Sequence, residues 1–348
     1  MSNNQTKQKL LWIDHSYHKK TSSSKFFSDY LSEFFDVTVF YDESWQKKSS
    51  NNLKIDNINQ YSHVVLWQTL PDKKILQELK GKNVTFVPMY DAVQNWDYFK
   101  WVKVKDFKIL CFAKAIYDYL NKFNFDTHYL QYYTPPKDFS EGVKNSAFLW
   151  QRVTDINFET MKGLLGDYLE KAHIHRSIDP NHRESEISDF DKDKYNVTLS
   201  NWFETREDFE RVIRNNEIFI APRYTEGIGL PVLEAMAMGK AIVANNAPTM
   251  NEYIKHGVNG YLADFSNPQS LDFSNIDEIK KNAYNSSVEG YKNWLETRKK
   301  IIEFLNKKTE LNTKLFKMFL ESFADSLFSF KKKNGKIFIK LFFIKIKL

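Results

Sequence analysis

From Lys9 to Gln131, short runs of β-branched, aromatic and other apolar residues alternate with segments of helical periodicity, the pattern that builds a parallel sheet covered by helices. Strands are expected at Lys9–Asp14, Asp36–Tyr41, His63–Trp67, Val84–Pro88, Phe107–Phe112 and Thr127–Gln131. Apolar residues recur at three- and four-residue spacing in Ser24–Phe35, Lys73–Lys80 and Lys114–Phe123, which predicts helices there. Tyr132–Lys144 breaks the pattern with Thr134, Pro135, Pro136 and Gly142, residues that stop regular elements and suit a linker. A second series follows. Its expected strands are Ala147–Gln151, Ala172–Arg176, Asn196–Ser200, Ile218–Ala221 and Ala241–Ala244, and its expected helices Phe158–Leu169, Arg206–Arg214 and Pro231–Met238. The highly charged stretch Arg183–Lys194 reads as an exposed loop, and Ile276–Asn306 as one or two amphipathic helices that close the fold. No sequence repeat recurs at a fixed period. The pattern describes two consecutive α/β halves.

Composition narrows the class. A chain of 348 residues with 42% hydrophobic content is long enough for one large or two ordinary domains, each with a real core. The single cysteine, Cys111, cannot form an internal disulfide, the first residues are polar, and no run of about 18 apolar residues is present to span a bilayer. A reducing cytoplasm is the expected setting. The net charge of +6 is concentrated in seven lysines, Lys331, Lys332, Lys333, Lys336, Lys340, Lys345 and Lys347, so the remainder is close to neutral. That distribution argues against a nucleic-acid-binding face on the body of the protein.

The most informative stretch is Ile218–Leu262. An apolar strand is followed by a turn holding Glu226, Gly227 and Gly229, and Pro231 stands in the first turn of a helix, where proline is tolerated. Leu233 to Met238 continue as good helix formers, and Gly239 supplies a left-handed stop. A strand, a glycine turn and a helix present backbone N–H groups and the positive end of the helix dipole at one mouth, a site suited to phosphate. Glu234, about one turn into the helix, and Glu226, before the glycines, can each accept hydrogen bonds from hydroxyls. A phosphate held between two hydroxyl-binding carboxylates describes a nucleotide sugar.

The stretch Glu226-Gly-Ile-Gly-Leu-Pro-Val-Leu-Glu234, followed by Ala235-Met-Ala-Met-Gly239, resembles the donor site of the retaining glycosyltransferases of family 4, whose motif is two glutamates separated by seven residues. The resemblance implies an α/β fold of two Rossmann-like domains (GT-B type) facing across a cleft, with a closing C-terminal helical segment. On this reading residues 1–137 form the acceptor-side domain and 138–285 the donor domain; 286–329 are closing helices that return to the first domain, and 330–348 a basic amphipathic tail. It implies further that Glu226 contacts the transferred sugar, that amides around Gly229 and Leu230 meet the diphosphate, with Gly227 beside them, and that Glu234 holds the ribose. Asn251-Glu252-Tyr253 and Gly257-Val-Asn-Gly260 resemble the family's segment closing the donor pocket. The family is generally metal-independent, so no metal or other cofactor is expected, the nucleotide sugar being a substrate.

Family members place an Arg and a Lys a few residues apart near the start of the second domain to neutralise the diphosphate. Here Arg152 ends the first strand of that half, and the next base is Lys162, ten residues on; Arg176, ending the following strand, is a third candidate. In the first half, His15 and Ser16 follow the first strand, and Tyr90 and Asp91 follow the Val84–Pro88 strand, at the carboxyl edge where open α/β sheets bind ligands. Relatives often have histidine before the aspartate; tyrosine stands here, which puts the family's catalytic role at that position in question and leaves Tyr90, with His15 and Ser16, as an acceptor-side candidate. Asp91 keeps the catalytic reading with Glu226 and Arg152, while His15 is either an acceptor or phosphate contact or a loop histidine bonded to backbone. Asp189, Asp191 and Asp193 imitate a cation loop, yet Lys194 stands where a calcium hand requires glycine, so a solvated loop is expected. His173 and His175 alternate along a strand without a cysteine partner and read as core.

In the tail, lysines interleave with Ile337, Phe338, Ile339, Leu341, Phe342, Phe343, Ile344, Ile346 and Leu348. Such a segment suits an anionic membrane surface, here the inner face of the cell membrane, or else packs on the first domain as a closing element or frays. The expected function is sugar transfer from a nucleotide-sugar donor to a saccharide or lipid-linked saccharide acceptor in surface polysaccharide synthesis, without nucleic acid. Two rivals stay open: a non-catalytic nucleotide-sugar or glycan-binding protein on the same fold, and a two-Rossmann sugar-nucleotide epimerase.

Overall fold

The computed structural model describes residues 7–43, 55 and 57–309, and the backbone of three C-terminal strands between 329 and 347. Six strands form the first sheet: β1 (Lys9–His15), β2 (Asp36–Asp42), β3 (His63–Trp67), β4 (Val84–Val87), β5 (Lys108–Cys111) and β6 (Thr127–Tyr129). They run in parallel in the order β2-β1-β3-β4-β5-β6. The second sheet is built from β7 (Val143–Gln151), β8 (Lys171–Arg176), β9 (Thr198–Ser200), β10 (Asn216–Ile220), β11 (Ala241–Asn245) and β12 (Tyr261–Ala263). Its order is β12-β11-β10-β7-β8-β9, again all parallel. The expected two-sheet α/β architecture is therefore present. In such sheets ligands bind beyond the carboxyl ends of the strands, at the place where strand order reverses. In the first sheet this is the β1/β3 junction, and in the second the β7/β10 junction.

Several elements differ from the pattern's prediction for local reasons. β7 begins at Val143, inside the expected linker, because Gly142 adopts φ +75°, where a Cβ would come 2.4 Å from the Asn216 carbonyl oxygen, and Val143 then pairs with Asn216. Half of the charged loop is helical: residues Asp189–Lys194 form a helix whose start is capped by Ser188 Oγ accepting from the Asp191 amide at 3.1 Å. Acids occupy its first turn and lysines its last, as the helix dipole favours. The four-residue helices Tyr90–Val93, Tyr98–Trp101 and Met250–Tyr253 are too short to show a periodicity.

The closing segment is a long helix, Ile276–Thr297, followed by Lys299–Asn306. Trp294, buried, packs with Phe26, Tyr30, Phe112 and Tyr132, which ties the long helix to the aromatic core over the first sheet. The shorter helix ends with the Leu305 carbonyl accepting from Asn83 Nδ2 at 2.9 Å and from buried Lys108. A second tie runs between the halves: Glu252 caps the helix Lys114–Asn121 of the first half, accepting from the Lys114 amide at 2.7 Å and the Ala115 amide at 3.1 Å. The segment expected to close the donor pocket thus reaches the opposite half through Glu252.

Residues 310–328 of the expected closing region lie outside the described residues. Beyond them β13 (Ser329–Lys333), β14 (Lys336–Leu341) and β15 (Ile344–Lys347) pair antiparallel in a sheet of their own. Register aligns Phe330, Ile339 and Ile346 in one row, and Lys340 with Lys345 in the next. No helix among the described residues is long and apolar enough to cross a membrane.

Candidate active site

The carboxyl edge of the second sheet is shaped by the turn between β10 and the helix Leu230–Ala237. Gly229 precedes the helix at φ +75°, and a Cβ there would lie 2.3 Å from Met250 Cε, so only glycine fits. At Gly227 a Cβ would come 2.9 Å from Met89 Cβ and 3.2 Å from Asp91 Oδ1, both in the first half. The missing side chain allows the turn to approach the opposite sheet. The Val232 and Leu233 amides bond back to the Gly229 carbonyl, so the amides of Gly229 and Leu230 are the donors at the helix start. A cavity of about 830 Å³ lies between the halves, lined by Glu226, Gly227, Gly229, Leu230, Glu234 and Arg152 of the second and His15 and Asp91 of the first.

Charge in the cavity is arranged in two groups. In the first, Arg223, on the loop after β10, donates from Nη1 to Asp91 Oδ2 at 3.1 Å and from Nη2 to Asp179 Oδ2 at 2.5 Å. The other Asp179 oxygen accepts from Arg152 Nε at 3.0 Å and Nη2 at 2.6 Å. Glu226, only 8% exposed, stands beside them, and its Oε1 has no hydrogen-bond partner in the protein; neither does Asp91 Oδ1. Burial pushes the Glu226 carboxyl up to about 7 against the pull of Arg223, with the Asp91 charge adding to the rise. Asp91 is likewise raised by burial, opposed chiefly by Arg223. In the second group Glu234 Oε1 accepts from Arg206 Nη2 at 2.5 Å, and burial raises the Glu234 carboxyl although Arg206 opposes the rise.

An aromatic wall adjoins the second group. His175 stacks on Phe203 with ring centroids 4.4 Å apart, and Trp150 meets His175 edge-on at 5.4 Å. Burial brings His175 down to about 4, which keeps the imidazole neutral and the wall uncharged. The Trp150 indole nitrogen is buried without a partner, and all three residues line the cavity. The arrangement offers an aromatic wall beside a carboxylate, then helix-start amides and two arginines, then a second carboxylate.

Some residues singled out from sequence are not among those lining the cavity. Lys162 pairs with Glu159 at 2.9 Å and Asp191 at 3.1 Å on its own helical layer. Arg176 holds Glu184 at 3.2 Å and the Ser185 carbonyl at 2.8 Å, anchoring the loop after β8. Tyr90 opens its short helix and packs on the core of the first half, and the Ser16 amide bonds the Asp42 carbonyl at 3.0 Å. His173 and His175 share Ser200 Oγ at 2.8 and 2.9 Å and stack on Phe148; His173 keeps to the core as expected, whereas His175 also lines the cavity. Conversely, Arg223, Asp179 and Arg206 belong to the charge network without having been singled out. The only sequence signal for Arg223 is its place three residues before Glu226, just past a strand end; nothing in the sequence points to Asp179.

Two parallel sheets facing each other across a polar cleft, with a closing C-terminal helix, define the GT-B class of fold. Solved structures share it. A glycosyltransferase from Rickettsia africae superposes with a TM-score of 0.55 at 14% identity, covering 86% of this chain and 98% of that one. HepE of Anabaena, in complex with UDP and glucose, gives 0.51 at 13% identity over 84% and 100%. Residues 192–285 match the family model of glycosyl transferases group 1. An uncharacterized glycosyltransferase of Methanocaldococcus jannaschii is 23% identical over 213 residues, 55% of this chain and 56% of that protein. The N,N'-diacetylbacillosaminyl-diphospho-undecaprenol alpha-1,3-N-acetylgalactosaminyltransferase of Campylobacter jejuni is 38% identical over 66 residues, 19% of this chain and 18% of that enzyme. The chain thus spans about half the length of the first relative and under a fifth of the second. The fold is thus that of GT-B glycosyltransferases, and within the second half residues 192–285 resemble the glycosyl transferases of group 1.

Proposed function

We propose that the protein is a retaining, metal-independent glycosyltransferase of the family 4 type, taking a sugar from a nucleoside-diphosphate donor to a saccharide or lipid-linked saccharide acceptor in surface polysaccharide synthesis. The observation that carries the reading is the placement of Glu226 and Glu234 on either side of one helix start, in a cavity that also holds Arg152 and Asp91. On this reading the base lies against the wall of Trp150, His175 and Phe203, Glu234 binds the ribose hydroxyls, and the amides of Gly229 and Leu230 receive the diphosphate. Glu226 holds a hydroxyl of the transferred sugar through the carboxylate oxygen that lacks a protein partner. As the anomeric C–O bond breaks, negative charge grows on the leaving diphosphate, and Arg152 with the helix start stabilises it. Asp91 Oδ1 receives the acceptor hydroxyl from the side of the first half, near His15. The three-stranded tail, whose sequence interleaves seven lysines with apolar residues, suits an anionic membrane surface where lipid-linked acceptors reside. Incubation with UDP-, GDP- and ADP-sugars and a lipid-linked acceptor, with NMR of the product's anomeric proton, tests the reading. Transfer with the donor's anomeric configuration supports it; an inverted product removes the retaining assignment.

A further inference from the structure

We propose that Arg223 is the second cation of the donor-diphosphate cradle, paired with Arg152 across the β7/β10 junction, and that Asp179 is the positioning residue that sets the pair. The inference rests on the nucleotide-sugar reading above and supplies the base that the sequence lacks where relatives carry a lysine. Arg152 follows β7 and Arg223 follows β10, neighbouring strands on either side of the point where strand order reverses. Both line the cavity that the helix-start amides of Gly229 and Leu230 also face. Lys162 and Arg176, the alternatives in sequence, are held elsewhere by Asp191 and Glu184. Arg206 serves the other end of the cavity through Glu234.

The hydrogen bonding defines the geometry. One carboxylate, Asp179, spreads its two oxygens over two guanidinium groups, Oδ1 to Arg152 and Oδ2 to Arg223. A guanidinium carries five N–H donors in a rigid fork. Arg223 commits one from each terminal nitrogen, to Asp91 and Asp179, and Arg152 commits two, so each retains donors for phosphate oxygens without leaving its carboxylate. Asp179 therefore fixes the spacing of the forks in advance and lowers the ordering cost of binding a diphosphate between them. Arg223 is also tied to Asp91 of the first half, so this cation is in place when the two halves are together.

The test is calorimetry on the full chain with UDP, GDP and ADP and, for whichever binds best, its matching nucleoside. Arg223→Gln is expected to weaken the nucleoside diphosphate about ten- to hundredfold and to leave nucleoside affinity within about twofold. Arg223→Lys is expected to recover part of the loss. Asp179→Ala is expected to follow the same split between diphosphate and nucleoside, which a merely structural role would not produce. Where melting curves show Arg223→Gln or Asp179→Ala unfolded, Arg223→Lys and Asp179→Asn take their place with smaller losses in the same direction. Unchanged diphosphate affinity in a folded Arg223 variant overturns this assignment alone. A wild-type protein that binds none of the three diphosphates overturns the nucleotide-sugar reading itself.

Discussion

Arg223 Nη1 lies 3.1 Å from Asp91 Oδ2, an ion pair that joins the loop after β10 in the second half to the short helix after β4 in the first. Beside it Gln94 Nε2 donates to Thr225 Oγ1 at 2.9 Å, and the absence of a side chain at Gly227 allows both contacts. The mouth of the cavity is therefore assembled from both halves. Removing the Asp91 charge tests whether its role is chemical. Asp91→Asn keeps the shape and is expected to leave nucleoside-diphosphate affinity within about threefold while lowering transfer about a hundredfold or more, the range for loss of a proton-accepting group. Equal losses in binding and turnover would reduce Asp91 to a tie between the halves.

Glu226 makes stability depend on pH. Its folded value, about 7, lies above the ordinary 4.5, so the folded protein holds this proton more tightly than the unfolded chain. The contribution is fully present below about 4.5 and is lost as pH rises through about 7. Glu226→Gln cannot ionise, so its melting temperature is expected to match the wild type near pH 5 and to exceed it by a few degrees at pH 8. Parallel melting curves at both values check this.

Glu234 is expected to bind ribose hydroxyls, so Glu234→Ala is predicted to raise the dissociation constant of the free nucleoside diphosphate about ten- to hundredfold. The fold should survive, because the Arg206 side chain left behind is more than half exposed and stays hydrated. Calorimetry with the variant decides; unchanged affinity in a folded protein takes Glu234 out of the site.

Removal of residues 329–348 deletes the separate three-stranded sheet and the seven lysines. Each lysine near an anionic surface contributes about 1 kcal/mol, screened as salt shortens the Debye length. The truncated protein is expected to stay in solution where the full chain sediments with phosphatidylserine vesicles at low salt, with transfer to a soluble acceptor retained. Equal sedimentation would end the membrane proposal, and a collapsed melting temperature would favour a tail packed on the body.

Much of this architecture is legible in the sequence because parallel strands buried on both faces leave continuous apolar runs. His63–Trp67 is found as expected, and the strands at Lys9, Asp36, Val84, Thr127, Lys171 and Ala241 lie within one or two residues of prediction. The glutamates are legible too, since glycine, proline and a small-residue helix fix the backbone around them. The cations are not. Lys162 looked eligible by its distance from Arg152 in sequence, yet its helix pairs it with Asp191. Arg223 and Asp179 stand 44 residues apart and meet only because β8, β7 and β10 are neighbours in the sheet. Single charged residues on loops carry no period and no turn signal, so topology is needed to bring them together.

The most direct test is release of nucleoside diphosphate from a panel of nucleotide sugars by the full chain, with and without acceptor, in the wild type and in Glu226→Ala. One donor is predicted to be turned over by the wild type, slowly alone and faster with acceptor. Glu226→Ala is predicted to lose that turnover by about a hundredfold or more while binding the free diphosphate nearly as well, because its proposed partner is the transferred sugar. Turnover unchanged in Glu226→Ala, or donor binding by the wild type with no release under any acceptor, would contradict the account.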